Sequence, residues 1–197
     1  MTTDQPETAT GAVRYGDGRA WSPPSPHSLK NRIGRALWGV VWLLLFRPSP
    51  RFFMGWRRWL LRCFGAQLAA GAVIHPSVRV WAPWNLRMGR SATLSWDVDC
   101  YCVAPVTLED YAIVSQYSYL CTASHDFNHP QRPVISAPIT IGTRAWVCAD
   151  VFVGPGVSIG EGTVVGARSS VFRNLPAWCV AAGSPAKAIR ERKPPVA

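Results

Sequence analysis

Acidic residues are scarce: 11 Asp and Glu stand against 21 Lys and Arg in 197 residues, a formal charge of +10. That imbalance suits anionic partners such as phosphorylated cofactors or acidic lipids. No RNA- or DNA-binding motif accompanies the charge, so nucleic acid is set aside. Six cysteines (Cys63, Cys100, Cys102, Cys121, Cys148, Cys179) form neither a CxxC pair nor the spacing of a secreted scaffold, which argues against thiol-bound zinc and for reduced, mostly buried thiols. The longest apolar run, Leu37 to Phe46, is about half of the roughly 20 residues that a membrane-crossing helix needs. Residues 1–27 are rich in Thr, Pro, Gly and Asp, lack the pattern of a signal peptide and read as a mobile tail.

What the chain does have begins at Ser28. Leu29, Ile33, Leu37, Val40, Val41 and Leu44 recur at helical steps until Pro48, with Ser28 as N-cap. A second helix is expected after it, capped by Ser49, with Pro50 in its first turn and Gly65 at its end. Residues 28–66 hold eight basic residues, no acidic one, and Trp38, Trp42, Trp56 and Trp59. This basic, tryptophan-rich segment fits either a pair of interfacial helices drawn to anionic lipid, with peripheral membrane contact through residues 28–64, or helices packed on the main domain or on a sister subunit.

From residue 67 to 172 the period changes to six. Aliphatic or other apolar residues fall at Ile74, Val80 and Leu86, then after a two-residue slip at Met88, Leu94, Cys100 and Val106, and after another at Leu108, Val114 and Leu120. They resume at Ile141, Val147, Val153, Ile159, Val165 and Val171. Small or β-branched residues follow four positions later, Ser124 among them, and glycine often follows directly, as at Gly89, Gly142 and Gly160. A six-residue period is neither that of an isolated strand nor that of a helix; it predicts a mainly β, parallel β-helix of about five triangular coils. The helical segment covers one end, and residues 173–197 form a C-terminal cap and tail.

The last hexad before the break starts at Leu120, and a loop over residues 125–138 leaves the helix there, with His125 at the rim. A loop on a rigid scaffold is where a site can be built. Of the four histidines, His27 and His75 read as incidental, and His129 as either a substrate contact or a solvated loop residue. A metal-dependent hydratase on the same scaffold needs three imidazoles, for which only His75, His125 and His129 are at hand. A non-catalytic, membrane-recruited scaffold is the third alternative.

The chain resembles the left-handed β-helix, hexapeptide-repeat acyltransferases, most closely the colanic acid biosynthesis acetyltransferase branch related to maltose and galactoside O-acetyltransferases. The resemblance rests on "FRPSPRFFMGWRRWLLRCFGA" (46–66), "WAPWNLRMG" (81–89), "TASHDF" (122–127), "PITIGTRAWVCADVFVGPGVSIGEGTVVGARSSV" (138–171) and "AAGSPAKAIR" (181–190). It implies an acetyl-CoA dependent O-acetyltransferase of exopolysaccharide biosynthesis, with acetyl-CoA as co-substrate, a sugar or glycan acceptor and no metal. It further implies a homotrimer in the cytoplasm, at the inner face of the cell membrane if the helices make lipid contact.

The resemblance makes His125 the general base. An acceptor-holding asparagine of the maltose and galactoside relatives is absent from "SWDVDCY" (95–101), where Asp97, preferred, and Asp99 stand instead, with Asn128 and His129 on the loop. On the donor side it implies backbone near Trp146, Ala149, Ala167 and Arg168 against the pantetheine arm, and Arg168, Lys187 and Arg190 against the phosphates.

Overall fold

The computed structural model describes residues 28–194, so the tail expected at 1–27 lies outside the described residues. The six-residue ladder does what its period demands: every apolar position from Ile74 to Val171 is buried in one continuous core. Short strands stack into three faces of a prism. The first face carries Gln67–Leu68, Leu86–Met88, Val106–Leu108, Ile139–Ile141 and Ser158–Ile159. The second runs from Val73–Ile74 through Thr93–Leu94, Ile113–Val114, Trp146–Val147 and Val164–Val165 to Cys179–Gly183 and, antiparallel to it, Ala186–Glu191. The third carries Arg79–Val80, Asp99–Tyr101, Tyr119–Cys121, Phe152–Val153 and Ser170–Val171. Pairing between coils is parallel, as in Val73↔Thr93 and Thr93↔Ile113.

The two-residue slips have a structural reason. Leu86 and Met88, like Val106 and Leu108, are both buried ends of three-residue strands, so the first face takes one extra inward residue in those coils. The coil number is about six rather than the five expected. The ladder begins one hexad earlier, at buried Leu68, and the chain after Val171 adds another turn, with Leu175 bridging to Ile159 and Ala181 buried on the second face. The tail therefore extends the solenoid before it folds back as a hairpin. Glycine after the aliphatic position permits the coil spacing: a β-carbon on Gly142 would lie 2.8 Å from the Glu161 nitrogen in the next coil.

A β-helix leaves strand carbonyls of its first coil without donors, because the N–H groups that begin each strand point to the coil that follows, as Val73 does to Ala92. The helical segment supplies the missing donors. It consists of α1 (Leu29–Val41), a π-helical turn (Trp42–Phe46) and α2 (Met54–Cys63). Arg62, Arg58 and Arg57 donate to the carbonyls of Leu68, Ala72 and Ile74 at 2.7, 3.0 and 2.8 Å. The indoles of Trp42 and Trp38 donate to Val78 and Val80 at 2.8 and 2.7 Å. Five side chains thus close the sheet edges that would otherwise stand open.

Arg57 is 1% exposed and gives further hydrogen bonds to the Ser49 hydroxyl and to the carbonyls of Pro50 and Arg51. Burial holds its guanidinium below the usual arginine range. Ser28 caps α1 as expected. Ser49 does not cap α2, which starts at Met54; its hydroxyl donates to the Phe46 carbonyl and accepts from Arg57.

Candidate functional site

The excursion is a two-stranded antiparallel hairpin, Ala123–His125 with Val134–Ser136. It leaves at Ala123, earlier than the spacing suggested. Buried Thr122 takes the place expected of Ser124: its hydroxyl accepts from the Ala104 N–H at 3.0 Å and donates to the Tyr101 carbonyl at 2.9 Å, and its own carbonyl accepts from Ala137 N–H where the chain returns. Ser124, expected as a corner residue, is exposed on the hairpin.

His125 ends the outgoing strand and is exposed. Its Nδ1 lies 2.7 Å from the Arg132 carbonyl oxygen. A carbonyl only accepts, so the ring proton sits on Nδ1 and the lone pair on Nε2. His129 has the opposite tautomer. Its Nδ1 accepts the Gln131 N–H at 3.1 Å, which leaves Nε2–H as a donor. Asn128 lies at the tip, where its N–H donates to the Asp126 carboxylate. The hairpin therefore offers one acceptor and one donor to a ligand, from two exposed imidazoles. His75 is not with them: it sits two coils away, against Trp96 at 4.4 Å between ring centroids. Among the described residues no group of three metal-binding side chains comes together.

The remaining candidates fall on other parts of the prism. Asp97, Ala149 and the pair Ala167 and Arg168 occupy three corners between the second and third faces, with the corner at 115–118 lying between the first two. Arg168 is exposed and 3.5 Å from the Asp150 carboxylate. Trp146 is exposed on the second face, its indole donating to Ser115 Oγ at 2.9 Å. Lys187 and Arg190 extend the same face through Ala186–Glu191, opposite Ala182 and Val180. These donor-side candidates share one face and its downstream edge, whereas His125 stands on the edge between the third and first faces. The two edges are separated by the corner-to-corner width of the third face, about five residues or about 16 Å at the rise of an extended chain.

Asp97 and Asp99 share a pocket of ≈ 200 Å³ with Ser77 and Arg79. Burial pushes the Asp99 carboxyl above the usual carboxylate range, and Arg79 opposes that rise. Arg79 was legible only through register, since it pairs with Asp99 one coil on. Nothing in the sequence marked the Arg132 carbonyl, because its role is carried by backbone.

The hexad β-helix is thus broken by one hairpin that exposes an imidazole with a free Nε2. No protein-family model matches the chain. The chain is 45% identical over 176 residues to "Putative colanic acid biosynthesis acetyltransferase WcaF" of Escherichia coli (strain K12), covering 89% of this chain and 97% of that protein. It is 31% identical to the galactoside O-acetyltransferase of the same organism over 138 residues, 68% of each chain. Among solved structures, a hexapeptide-repeat acetyltransferase of Vibrio cholerae O1 biovar eltor, complexed with acetyl coenzyme A, superposes with a TM-score of 0.74 at 25% identity, covering 86% of this chain and 93% of that one. The chain belongs to the left-handed β-helix, hexapeptide-repeat acyltransferases, in the WcaF branch, and is an acetyltransferase.

Proposed function

We propose that the chain moves an acetyl group from acetyl-CoA to a hydroxyl of a sugar or glycan during exopolysaccharide assembly in the cytoplasm, with His125 as general base. The observation that carries this reading is the hydrogen bond from His125 Nδ1–H to the Arg132 carbonyl. It aims an unprotonated Nε2 outward from a rigid strand end.

A sugar hydroxyl is too weak an acid to ionise first. Nε2 takes its proton as the oxygen attacks the thioester carbonyl, and the tetrahedral intermediate collapses with cleavage of the C–S bond. The leaving thiolate takes the proton back from the imidazolium, so the products are the sugar ester and CoA thiol. The backbone acceptor at Nδ1 holds the ring in place and stabilises the cation that forms. His129, with Nε2–H outward, is suited to donate to an acceptor oxygen but not to remove a proton. Asp97, Asp99 and Asn128 are the further acceptor-side groups.

The small residues Ala149 and Ala167 and the cations Arg168, Lys187 and Arg190 fit a long thioester ending in phosphates. Since these groups and His125 stand on different edges, the reading requires neighbouring copies, and a homotrimer joins one subunit's hairpin to the next subunit's groove. The name of the WcaF relative supports exopolysaccharide as the pathway.

The test is to incubate the purified chain with acetyl-CoA and a panel of nucleotide sugars and lipid-linked glycans, reading thiol release and ester formation by mass. A carbohydrate ester is expected. CoA release that no carbohydrate stimulates would overturn the reading.

A further inference from the structure

The helical segment is turned the opposite way from its hydropathy. Leu29, Ile33, Leu37 and Val40 lie within about 80° of arc on α1, and all four face solvent at 52–69% exposure. Leu44 continues the stripe in the π-helical turn at 63%. What α1 buries is the other side, where Trp38 and Trp42 donate to the first coil. Just before α2, Phe52 is 79% exposed, and on α2 Trp56 and Trp59 stack at 5.1 Å, Trp59 54% exposed. The Trp56 indole donates to the Leu45 carbonyl, and a groove of ≈ 410 Å³ lined by Leu44, Leu45, Phe53 and Trp56 joins the two helices' apolar surfaces into one patch. Patches of this extent on soluble chains mark a surface that something covers.

The rim says what covers it. Lys30, Arg32, Arg47 and Arg51 alternate with the patch residues along the chain, Arg47 and Arg51 lying over the Trp42 and Trp96 rings at 5.3 and 5.2 Å; residues 28–66 contain no Asp or Glu, and none of these cations takes part in an ion pair among the described residues. A second copy placed face to face on the patch would bring cations against cations. An anionic bilayer surface meets both demands at once, accepting the aliphatic stripe and interfacial tryptophans below the headgroups and the basic rim at them. Among the described residues no helix is long and apolar enough to cross a membrane.

We infer that the outer face of residues 28–64 docks the acetyltransferase on a membrane surface rich in anionic phospholipid. The donors that cap the β-helix point inward while the apolar stripe points out, so one segment seals the solenoid and presents it to the lipid.

The experiment is flotation of the full-length protein with vesicles of 30% phosphatidylglycerol in phosphatidylcholine, or of phosphatidylcholine alone. Partitioning at least about tenfold stronger on the anionic vesicles is expected from the four rim cations. Leu37→Glu should weaken it at least about tenfold, and Phe52→Ala should weaken it less, with circular dichroism and acetyl transfer to a soluble acceptor unchanged. Wild-type protein that stays with the pellet, or Leu37→Glu and Phe52→Ala proteins that both float like wild type, would overturn the inference. So would a Leu37→Glu protein whose assembly falls apart in sedimentation velocity, since the face would then be a subunit contact.

Discussion

Two inactive variants should restore one another. If acetyl transfer joins His125 of one subunit to the groove of the next, then His125→Ala damages only the first edge of a subunit and Ala167→Trp, which fills the small-residue groove, only the second. The edges are about 16 Å apart across the third face, so neither lesion reaches the other site element in the same chain. In an equal mixture, a site works when its imidazole comes from an Ala167→Trp subunit and its groove from a His125→Ala subunit. A doubly tagged closed trimer holds both kinds of subunit, and one of its three interfaces meets both conditions, so it regains about one third of wild-type turnover. The assay is thiol release from acetyl-CoA with a carbohydrate acceptor, using trimers formed by co-expression with two affinity tags and purified over both in sequence. Turnover of the doubly tagged species no higher than that of either parent would place the whole site in one subunit. An Ala167→Trp protein that is fully active alone would show that the second-to-third edge is not the groove.

Other residues carry structural consequences. Arg57→Met leaves the carbonyls of Ile74 and Arg51 without their Arg57 donors, while Pro50 keeps the Phe53 N–H, and should destabilise the fold by about 3 kcal/mol or more, read by chemical denaturation. Gly142→Ala sets a β-carbon against the Glu161 and Ile159 backbone and should cost about 1–3 kcal/mol, measured the same way. His75 is half-buried; burial first, then Arg51 and Arg57, lower its pKa, and its Nδ1 has no hydrogen-bond partner among the described residues. Below a pH of about 6.5 the unfolded ring takes up a proton that the folded ring refuses. Stability should therefore fall as pH drops through that value, and His75→Phe should flatten this part of the pH–stability curve.

The prism was legible because a six-residue period has one structural solution, and the apolar positions that follow it between Ile74 and Val171, two slips and one hairpin aside, are all buried. Its ends were harder to read. Leu68 stands in register but ahead of any repeated neighbour, and Ala181 follows Val165 by 16 residues rather than a multiple of six. Ser124 kept the period on paper while Thr122, with a hydroxyl that satisfies two backbone groups at once, closed the coil.

The helical segment defeated hydropathy for a related reason. The open coil edge needs hydrogen-bond donors, so tryptophan and arginine are drawn inward and leucine is left outside. The placement of His125 and the donor-side candidates on two different edges was harder to read too, because it depends on where the hairpin leaves the coil. His125 itself was legible, as the imidazole where the repeat breaks; its tautomer depended on where the return strand set the Arg132 carbonyl.

The most direct measurement is single-turnover acetyl transfer by His125→Ala with CoA binding and thermal stability measured in parallel. The account predicts a rate lower by about 10²- to 10⁴-fold, with binding and stability near wild type. A variant that binds CoA, folds normally and transfers acetyl at most of the wild-type rate would contradict it.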